Sequence, residues 1–443
     1  MPDDQINQQT ICQPLAAPPA NEHQTILFLQ GHPSTFARNL GIALEERGCR
    51  VLRINFCFGD WIYWLGRPAF NYRGSFADWE SYLTDFIERE NVTDILYYGD
   101  CRPYHRVAGD VANRLGIRAM AYEFGYLRPD WLTLERYGMS SRSHFPNEAA
   151  LIQQIGAEFG PVNLEPRFRH SVALELTHEI FYNLSSYFMG LFYLRYKSDR
   201  YYNPLIEYMT GIPKQFRVAA NARRAGAIMA QLEKSQTPFF LYPLQLQNDY
   251  QLRHHAAFEH QSDAIRAVIA SFATHADHRD HLVFKCHPLD NGGEGWPRHI
   301  VAAAEQHGVS SRVHYIDGGN LTAMLERARG CVLINSTVGM HAIALGCPTK
   351  VLGGAIFDIA GLSHQGPLDT FWQSPATPDR ELANALIRAM AGTIQIKGSF
   401  FSKDGQAAAI PTFVKRITER SVNGCGAFVS PPPRLDESKR HKL

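Results

Sequence analysis

The sequence predicts an α/β fold: two doubly wound, Rossmann-type domains facing a cleft, with a helical insertion between them. Three observations carry the prediction. Short apolar runs alternate with stretches of helical spacing early in the chain, the same alternation returns near residue 237, and the segment between is helical and aromatic.

In the first half, TILFLQGHP (Thr25 to Pro33) reads as a strand ending in Gly-His-Pro; PSTFARNLGIALEERG follows with helical spacing, and CRVLRINF is the next strand. VTDILYYGDCRPYHRVAGDVANRLGIRAMAYEFGY repeats the cycle as strand, loop, helix, glycine, strand and loop. In the second half PFFLYPLQ is a strand, SDAIRAVIASFATHA a helix, and HLVFKCHP and RVHYID are strands; LTAMLERA, GCVLINSTVGMHAIALG and PTKVLGG continue the alternation. The expected organisation is a disordered tail over 1–23, an N-terminal Rossmann-like domain over 24–146, a helical connecting region over 147–236, a C-terminal Rossmann-like domain over 237–405, and a C-terminal helix and tail over 406–443.

The 443 residues suffice for two or three domains, each with its own core. With 44 basic against 43 acidic side chains there is no overall field to attract nucleic acid. Eight cysteines are scattered without a C-x-x-C pair, and Cys57, Cys286, Cys331 and Cys347 sit in apolar runs, which predicts reduced, buried thiols and a cytoplasmic address. The Pro- and Gln-rich start lacks the basic and apolar regions of a signal peptide. No apolar run reaches the roughly 20 residues of a spanning helix. The nearest approach, Glu175 to Tyr202, is broken by Asn183, Ser185 and Ser186. Its aromatic density and basic end (Arg195, Lys197, Arg200) suit a helix lying on a membrane interface or one packed between domains.

Ligands of doubly wound sheets bind beyond the carboxyl ends of the strands. Those ends are polar here: Gln30-Gly31-His32, Gly59-Asp60, Gly99-Asp100-Cys101-Arg102, Glu123-Phe124-Gly125, Gln245 to Asp249, Lys285-Cys286-His287-Pro288 and Asn335-Ser336-Thr337. The later set reads as a nucleotide site. Lys285 and His287 share one side of an extended chain and can reach one phosphate, and Gln245 ends the neighbouring strand. Asn335, Ser336, Thr337 and Gly339 open an apolar helix whose first turn offers N–H groups and hydroxyls to an anion, or is merely capped by Ser336 or Thr337. The Walker and G-x-G-x-x-G patterns are missing, which argues against an ATPase or dinucleotide enzyme. No D-x-D is present either, so a nucleoside monophosphate donor that leaves without a metal fits better, and neither cofactor nor metal is expected.

One stretch combines carboxylates and an arginine with aromatics: AYEFGYLRPDWLTLE, Ala121 to Glu135. Together with YGDCRPYH and NSTVGMHAIALGCPTKVLG it resembles the bacterial capsule polysaccharide synthesis family, and within it the β-Kdo transferases that start the Kdo linker on a lipid anchor. The similarity runs from about Thr25 to Ala407. It implies a GT-B-like fold, CMP-β-Kdo as donor, retention of configuration, and a (lyso)phosphatidylglycerol acceptor at the inner membrane surface, where other capsule synthesis or export proteins would be partners. Relatives tend to carry two acidic residues before the glycine of the acidic-x-Gly motif; here Phe124 follows Glu123, so Glu123 is the motif's lone carboxylate.

Retention by double displacement needs a carboxylate at the anomeric carbon. Glu123 is the first candidate, with Asp100 the main rival and Asp60 a further one. Arg128 and Arg102 would pair with the carboxylate of the donor sugar. Gln30, Gly31 and Gly125 would border the substrate, and Tyr126 and Trp131 would floor the sugar or glycerol subsite. His105 is either a structural histidine at a helix start or a phosphate contact or acid/base group, whereas Asp130 and Glu135 are expected to brace the loop. Two other readings stay open: a non-catalytic export scaffold that binds nucleotide or glycan, and an inverting transferase using a nucleoside-diphosphate sugar.

Overall fold

The computed structural model describes residues 24–168, 171–215 and 217–436; the expected N-terminal tail and the final seven residues lie outside the described residues. Two compact units emerge, each built on its own sheet.

The first sheet takes strands β1 (Thr25–Phe28), β2 (Arg50–Asn55), β3 (Phe70–Asn71), β4 (Asp94–Tyr98), β5 (Arg118–Phe124), β6 (Trp131–Arg136) and, from far along the chain, β12 (Gln395–Lys397). Their order is β12-β6-β5-β4-β1-β2-β3, with β6 antiparallel to both neighbours and the rest parallel. Successive side chains of an extended strand point to opposite faces. Leu96, Met120 and Tyr122 accordingly enter one core with Phe36 and Phe413, while Ile95, Tyr97, Ala119 and Ala121 enter a second with Trp79 and Val111. A sheet buried on both faces is the doubly wound arrangement that the alternation predicted.

The stretch expected to be a loop after Glu123 is largely a hairpin. Leu132 and Leu134 alternate with Thr133 and Glu135, and burying both leucines in the core with Phe28 and Tyr122 draws Trp131–Arg136 into the sheet. The turn closes where the Gly125 amide donates to the Trp131 carbonyl at 2.7 Å. Gln395 of β12 then pins it: its Oε1 accepts from the Tyr126 amide at 2.8 Å, and its Nε2 donates to Thr133 Oγ1 at 2.8 Å.

The second sheet, β11-β10-β7-β8-β9, is wholly parallel and comprises β7 (Phe239–Pro243), β8 (His281–Lys285), β9 (Val313–Ile316), β10 (Gly330–Leu333) and β11 (Thr349–Val351). Strand order reverses beside β7, so the crevice where such sheets take ligands lies between the ends of β7 and β10.

The compact units depart from the expected boundaries. Ile387–Pro433 cluster with the first unit, because β12 pairs with β6 and the helix Lys403–Thr418 buries Phe413 and Ile417 beside Phe36 and Leu40. The expected connecting region divides, Gln154–Asp199 going to the first unit and Asn147–Gln153 and Arg200 onward to the second. No helix among the described residues is long and apolar enough to cross a membrane. Cys57, Cys286, Cys331 and Cys347 are buried, and no disulfide forms among the described residues.

A Cβ at Gly125 would lie 2.6 Å from both the Trp131 carbonyl and Gln395 Oε1. Gly125→Ala is therefore expected to destabilise the first unit by about 1–3 kcal/mol, as overpacking does, seen as a lower denaturant midpoint with the slope unchanged.

Candidate functional site

In the first unit most of the polar strand ends turn inward. Gln30, at the exit of β1, donates from Nε2 to the Tyr182 hydroxyl at 2.6 Å and lies 3.4 Å from Asp60 Oδ2. Asp60 accepts from the Phe56 amide at 2.9 Å and the Tyr182 hydroxyl at 3.0 Å, and Arg53 stands 3.5 Å away. Gly31 is buried beside the Tyr122 hydroxyl. Gln30 and Asp60 thus tie β1 and β2 to the helix Val172–Phe188, since buried polar groups must be satisfied within the protein. Asp100 is likewise buried, with Oδ2 accepting from the Met139 amide at 3.1 Å, so it anchors the turn after β6.

His105 is fully buried, stacks on Tyr97 and bonds through Nδ1 to the Gly99 carbonyl at 2.8 Å. That carbonyl can only accept, so Nδ1 carries the proton. Burial, with the nearby Arg102 charge, pushes the ring down to about 3, so it is neutral at physiological pH and cannot serve as a cationic acid. Its role is structural, holding the start of the helix Pro103–Leu115.

Two aromatic expectations are corrected. Tyr126 and Trp131 do not floor a subsite; both are buried by the hairpin. The Tyr126 hydroxyl donates to Glu135 Oε1 and accepts from the Ser140 amide, each at 2.8 Å, while Lys397 Nζ lies 5.0 Å above the Trp131 ring. Asp130 and Glu135 brace the segment as expected. Asp130 accepts from the Arg167 amide at 2.6 Å and pairs with Lys397 at 2.8 Å, and Glu135 also accepts from Ser143.

What remains at the exits of β4 and β5 is a charged group around Tyr98. Burial raises the Tyr98 phenol well above its usual range, Glu123 and Glu175 add to the rise, and Arg102 and Arg128 oppose it. Glu123 is half-buried at the end of β5, in register with Thr133. The exposed Arg128 guanidinium sits 4.8 Å from the Phe124 ring, and Arg102 lies 5.7 Å from the Tyr98 ring and 4.0 Å from Asp199. Beside this group His32 is boxed by Tyr98, Phe124, Phe400 and Phe401 at centroid distances of 4.6–5.2 Å. Glu175 and Arg53 were not singled out from sequence, and His32 was named only as part of the polar end of the first strand. A cation inside the apolar strand CRVLRINF was the legible sign of Arg53, and Glu175 had no local one.

In the second unit Gln245 and Asn335 close on one another across the β7/β10 crevice. Gln245 Nε2 donates to Asn335 Oδ1 at 3.0 Å, and the Asn335 amide donates back at 3.2 Å. Asn335 Nδ2 also holds the Gln251 and His255 carbonyls. These two residues shape the crevice rather than reach from it. Ser336 Oγ accepts from the Val338 amide at 3.3 Å, and Thr337, half-buried, is the N-cap of the helix Val338–Ala344 without a side-chain capping bond. Gly339 answers to packing, because a Cβ there would meet the Phe357 ring.

Lys285 stands apart. It ends β8 with 7% exposure, and its ammonium makes no ion pair or hydrogen bond among the described residues. Burial lowers its pKa. The Asp317 carboxylate opposes that drop and the Lys214 ammonium adds to it, so the charge is only partly compensated within the protein. His287 follows, half-buried, its Nδ1 accepting from the Leu289 amide at 3.2 Å; the neutral ring then carries its proton on Nε2 as a donor. Pro288 is exposed, and Asp290 orders the turn by accepting from the Gly292 amide and Trp296 Nε1.

Two doubly wound units, with an unpaired lysine at one strand exit and a carboxylate–arginine group at others, make this an α/β protein of Rossmann-type sheets. The chain belongs to the capsule polysaccharide biosynthesis protein family, whose model matches residues 93–401. The capsule polysaccharide export protein KpsS of Escherichia coli is 30% identical over 362 residues, which are 80% of this chain and 91% of that protein. The capsule polysaccharide modification protein LipB of Neisseria meningitidis serogroup A is 29% identical over 397 residues, 86% of this chain and 92% of its own. Among solved structures, the β-Kdo 2,7 transferase KpsC of Thermosulfurimonas dismutans is 12% identical with a TM-score of 0.43, the match covering 89% of this chain and 99% of that one.

Lys285→Ala and His287→Ala are each expected to weaken CMP binding by roughly 1.5–3 kcal/mol in calorimetric titration, the range for a hydrogen bond to a charged group. Lys285 must be protonated to attract phosphate, and its pKa is lowered. Affinity should therefore decline with rising pH before an ordinary lysine, near 10.4, would titrate, and Lys285→Ala should lack that decline. Unchanged CMP affinity in a folded double variant would remove both residues from the site.

Proposed function

We propose that the chain is a retaining glycosyltransferase that moves Kdo from CMP-β-Kdo to a (lyso)phosphatidylglycerol acceptor, starting the β-Kdo linker of a capsule polysaccharide. The observation that carries the reading is the buried Lys285 at the exit of β8, whose ammonium makes no ion pair or hydrogen bond among the described residues, with His287 two residues on. Membership of the capsule family supports the sugar chemistry, and the names of the KpsS and LipB relatives support a place in capsule modification or export. On this reading the protein works at the inner membrane surface, beside other capsule proteins, and needs neither metal nor cofactor.

Glu123 is the nucleophile of this reading. Asp100 and Asp60 accept from backbone amides in buried surroundings. Glu123 is half-buried at the end of β5, and it acts on the Tyr98 phenol together with Arg102 and Arg128, which would hold the carboxylate of the sugar. The aromatic residues next to it, Tyr98 and Phe124, limit water around a glycosyl–enzyme ester. The deciding experiment is mass spectrometry of phosphatidylglycerol and its lyso form after incubation with CMP-Kdo generated in situ. A product heavier by one Kdo supports the reading; CMP binding without product would leave an export scaffold.

Glu123→Gln keeps the volume and removes the charge. Turnover should fall by several orders of magnitude while CMP affinity holds, the pattern of an interaction used in the transition state. Asp100→Asn should cost turnover less, and its loss should appear in the denaturation midpoint as the turn at Met139 loosens. Near-normal turnover in Glu123→Gln would move the role to another carboxylate.

A further inference from the structure

A groove of about 300 Å³ opens in the first unit between the helices Phe36–Glu45, Phe58–Ile62 and Val172–Phe188. Its walls are mainly apolar, with Ile62, Tyr63, Leu65 and Phe181 contributing carbon surface and Arg38 and His178 polar edges. Arg38 is the anomaly. It makes no ion pair and no hydrogen bond among the described residues, and its Nε is buried without a partner. A half-buried guanidinium without a protein partner beside apolar walls suits a ligand with an anionic head and a hydrocarbon body.

The surroundings say where such a ligand comes from. Phe181 is 54% and Leu65 45% exposed at the groove itself. Beyond it the stripe Leu174, Phe181, Phe188 recurs every seven residues along the helix and runs into Leu191 and Leu194, the latter 83% exposed. Arg195 and Lys197, both exposed, follow directly. Contiguous exposed apolar groups with cations behind them fit the interface of an anionic lipid layer. The other end of the groove reaches the charged group. His178, bonded through Nδ1 to the Tyr63 hydroxyl at 2.7 Å, lies 5.8 Å from the Phe401 ring. Phe401 in turn packs on His32, and His32 on Tyr98.

We propose that this groove seats one acyl chain of an anionic phospholipid, with Arg38 holding the phosphate. The inference deepens the lipid-acceptor part of the reading above, and its test needs no sugar transfer.

The full chain would be titrated with dodecyl phosphate and with dodecyl maltoside, both below micelle-forming concentrations, following calorimetric heat. Dodecyl phosphate should bind at least ~10-fold more tightly than the neutral maltoside, since a hydrogen bond to a charged group is worth that factor or more. Arg38→Gln should abolish the preference while leaving maltoside binding unchanged. Phe181→Asp and, as a second variant at an exposed position, Leu65→Asp should weaken both amphiphiles ~10-fold without altering CMP affinity. Equal binding of the two amphiphiles, a preference that survives Arg38→Gln, or binding untouched by both apolar-site variants would overturn the proposal. Amphiphile binding in a chain that never transfers Kdo would overturn the transferase reading and leave the groove assignment standing.

Discussion

The hairpin of β5 and β6, locked by the carboxamide of Gln395, is the constraint from which the first unit is organised. One side chain satisfies the Tyr126 amide and the Thr133 hydroxyl, and in doing so fixes where Glu123 ends its strand. The same contact brings the chain back from the second unit, so that Phe400 and Phe401 can box His32 and the helix Lys403–Thr418 can cover the sheet. Gly125 belongs to this arrangement for a steric reason, since the partner backbone and Gln395 occupy the space of a Cβ. The glycine of the acidic-x-Gly motif is thus explained by the turn that holds the carboxylate, without a contact to substrate.

Much of the fold was legible because both sheets are buried on two faces, and buried parallel strands announce themselves as short apolar runs between helices. The missed elements had no such signature. Trp131–Arg136 carries Glu135 and Arg136 in six residues, and its strand character depends on Leu132 and Leu134 finding the core of β1 and β5. Gln395–Lys397 is three residues long and pairs with residues more than two hundred and fifty positions earlier, a register that no local pattern encodes. The domain boundaries slipped for the same reason: contact across such a separation leaves no mark on composition.

The candidate site was legible in kind and less so in detail. Every strand exit named from sequence is polar, as ligand-binding ends of such sheets are. Polarity alone does not separate groups that serve a ligand from groups that serve the backbone, because strand ends leave amides and carbonyls that must be satisfied wherever they are buried. Asp60, Asp100, Gln245 and Asn335 are taken up in that service, and Gln30 is spent on the Tyr182 hydroxyl, each at ordinary hydrogen-bond distances. His105 shows the same in a titratable group: a ring buried to the point of permanent neutrality, spent on a single carbonyl.

A sharper criterion follows from the electrostatics. A polar residue whose bonds are complete stabilises the fold and gains nothing from a ligand. A buried cation without a partner leaves a desolvation cost that an incoming anion relieves. Lys285 in the second unit meets the second description, and Arg38 in the first, half-buried with its Nε enclosed, meets it in part; the sequence pointed to Lys285 through its strand exit and gave no sign of Arg38. Lys285 ends a strand of the second sheet, and Arg38 lines the apolar groove of the first unit. Binding there is coupled to stability by mass action, because a ligand that binds only the folded chain stabilises it in proportion to the logarithm of its concentration over its dissociation constant.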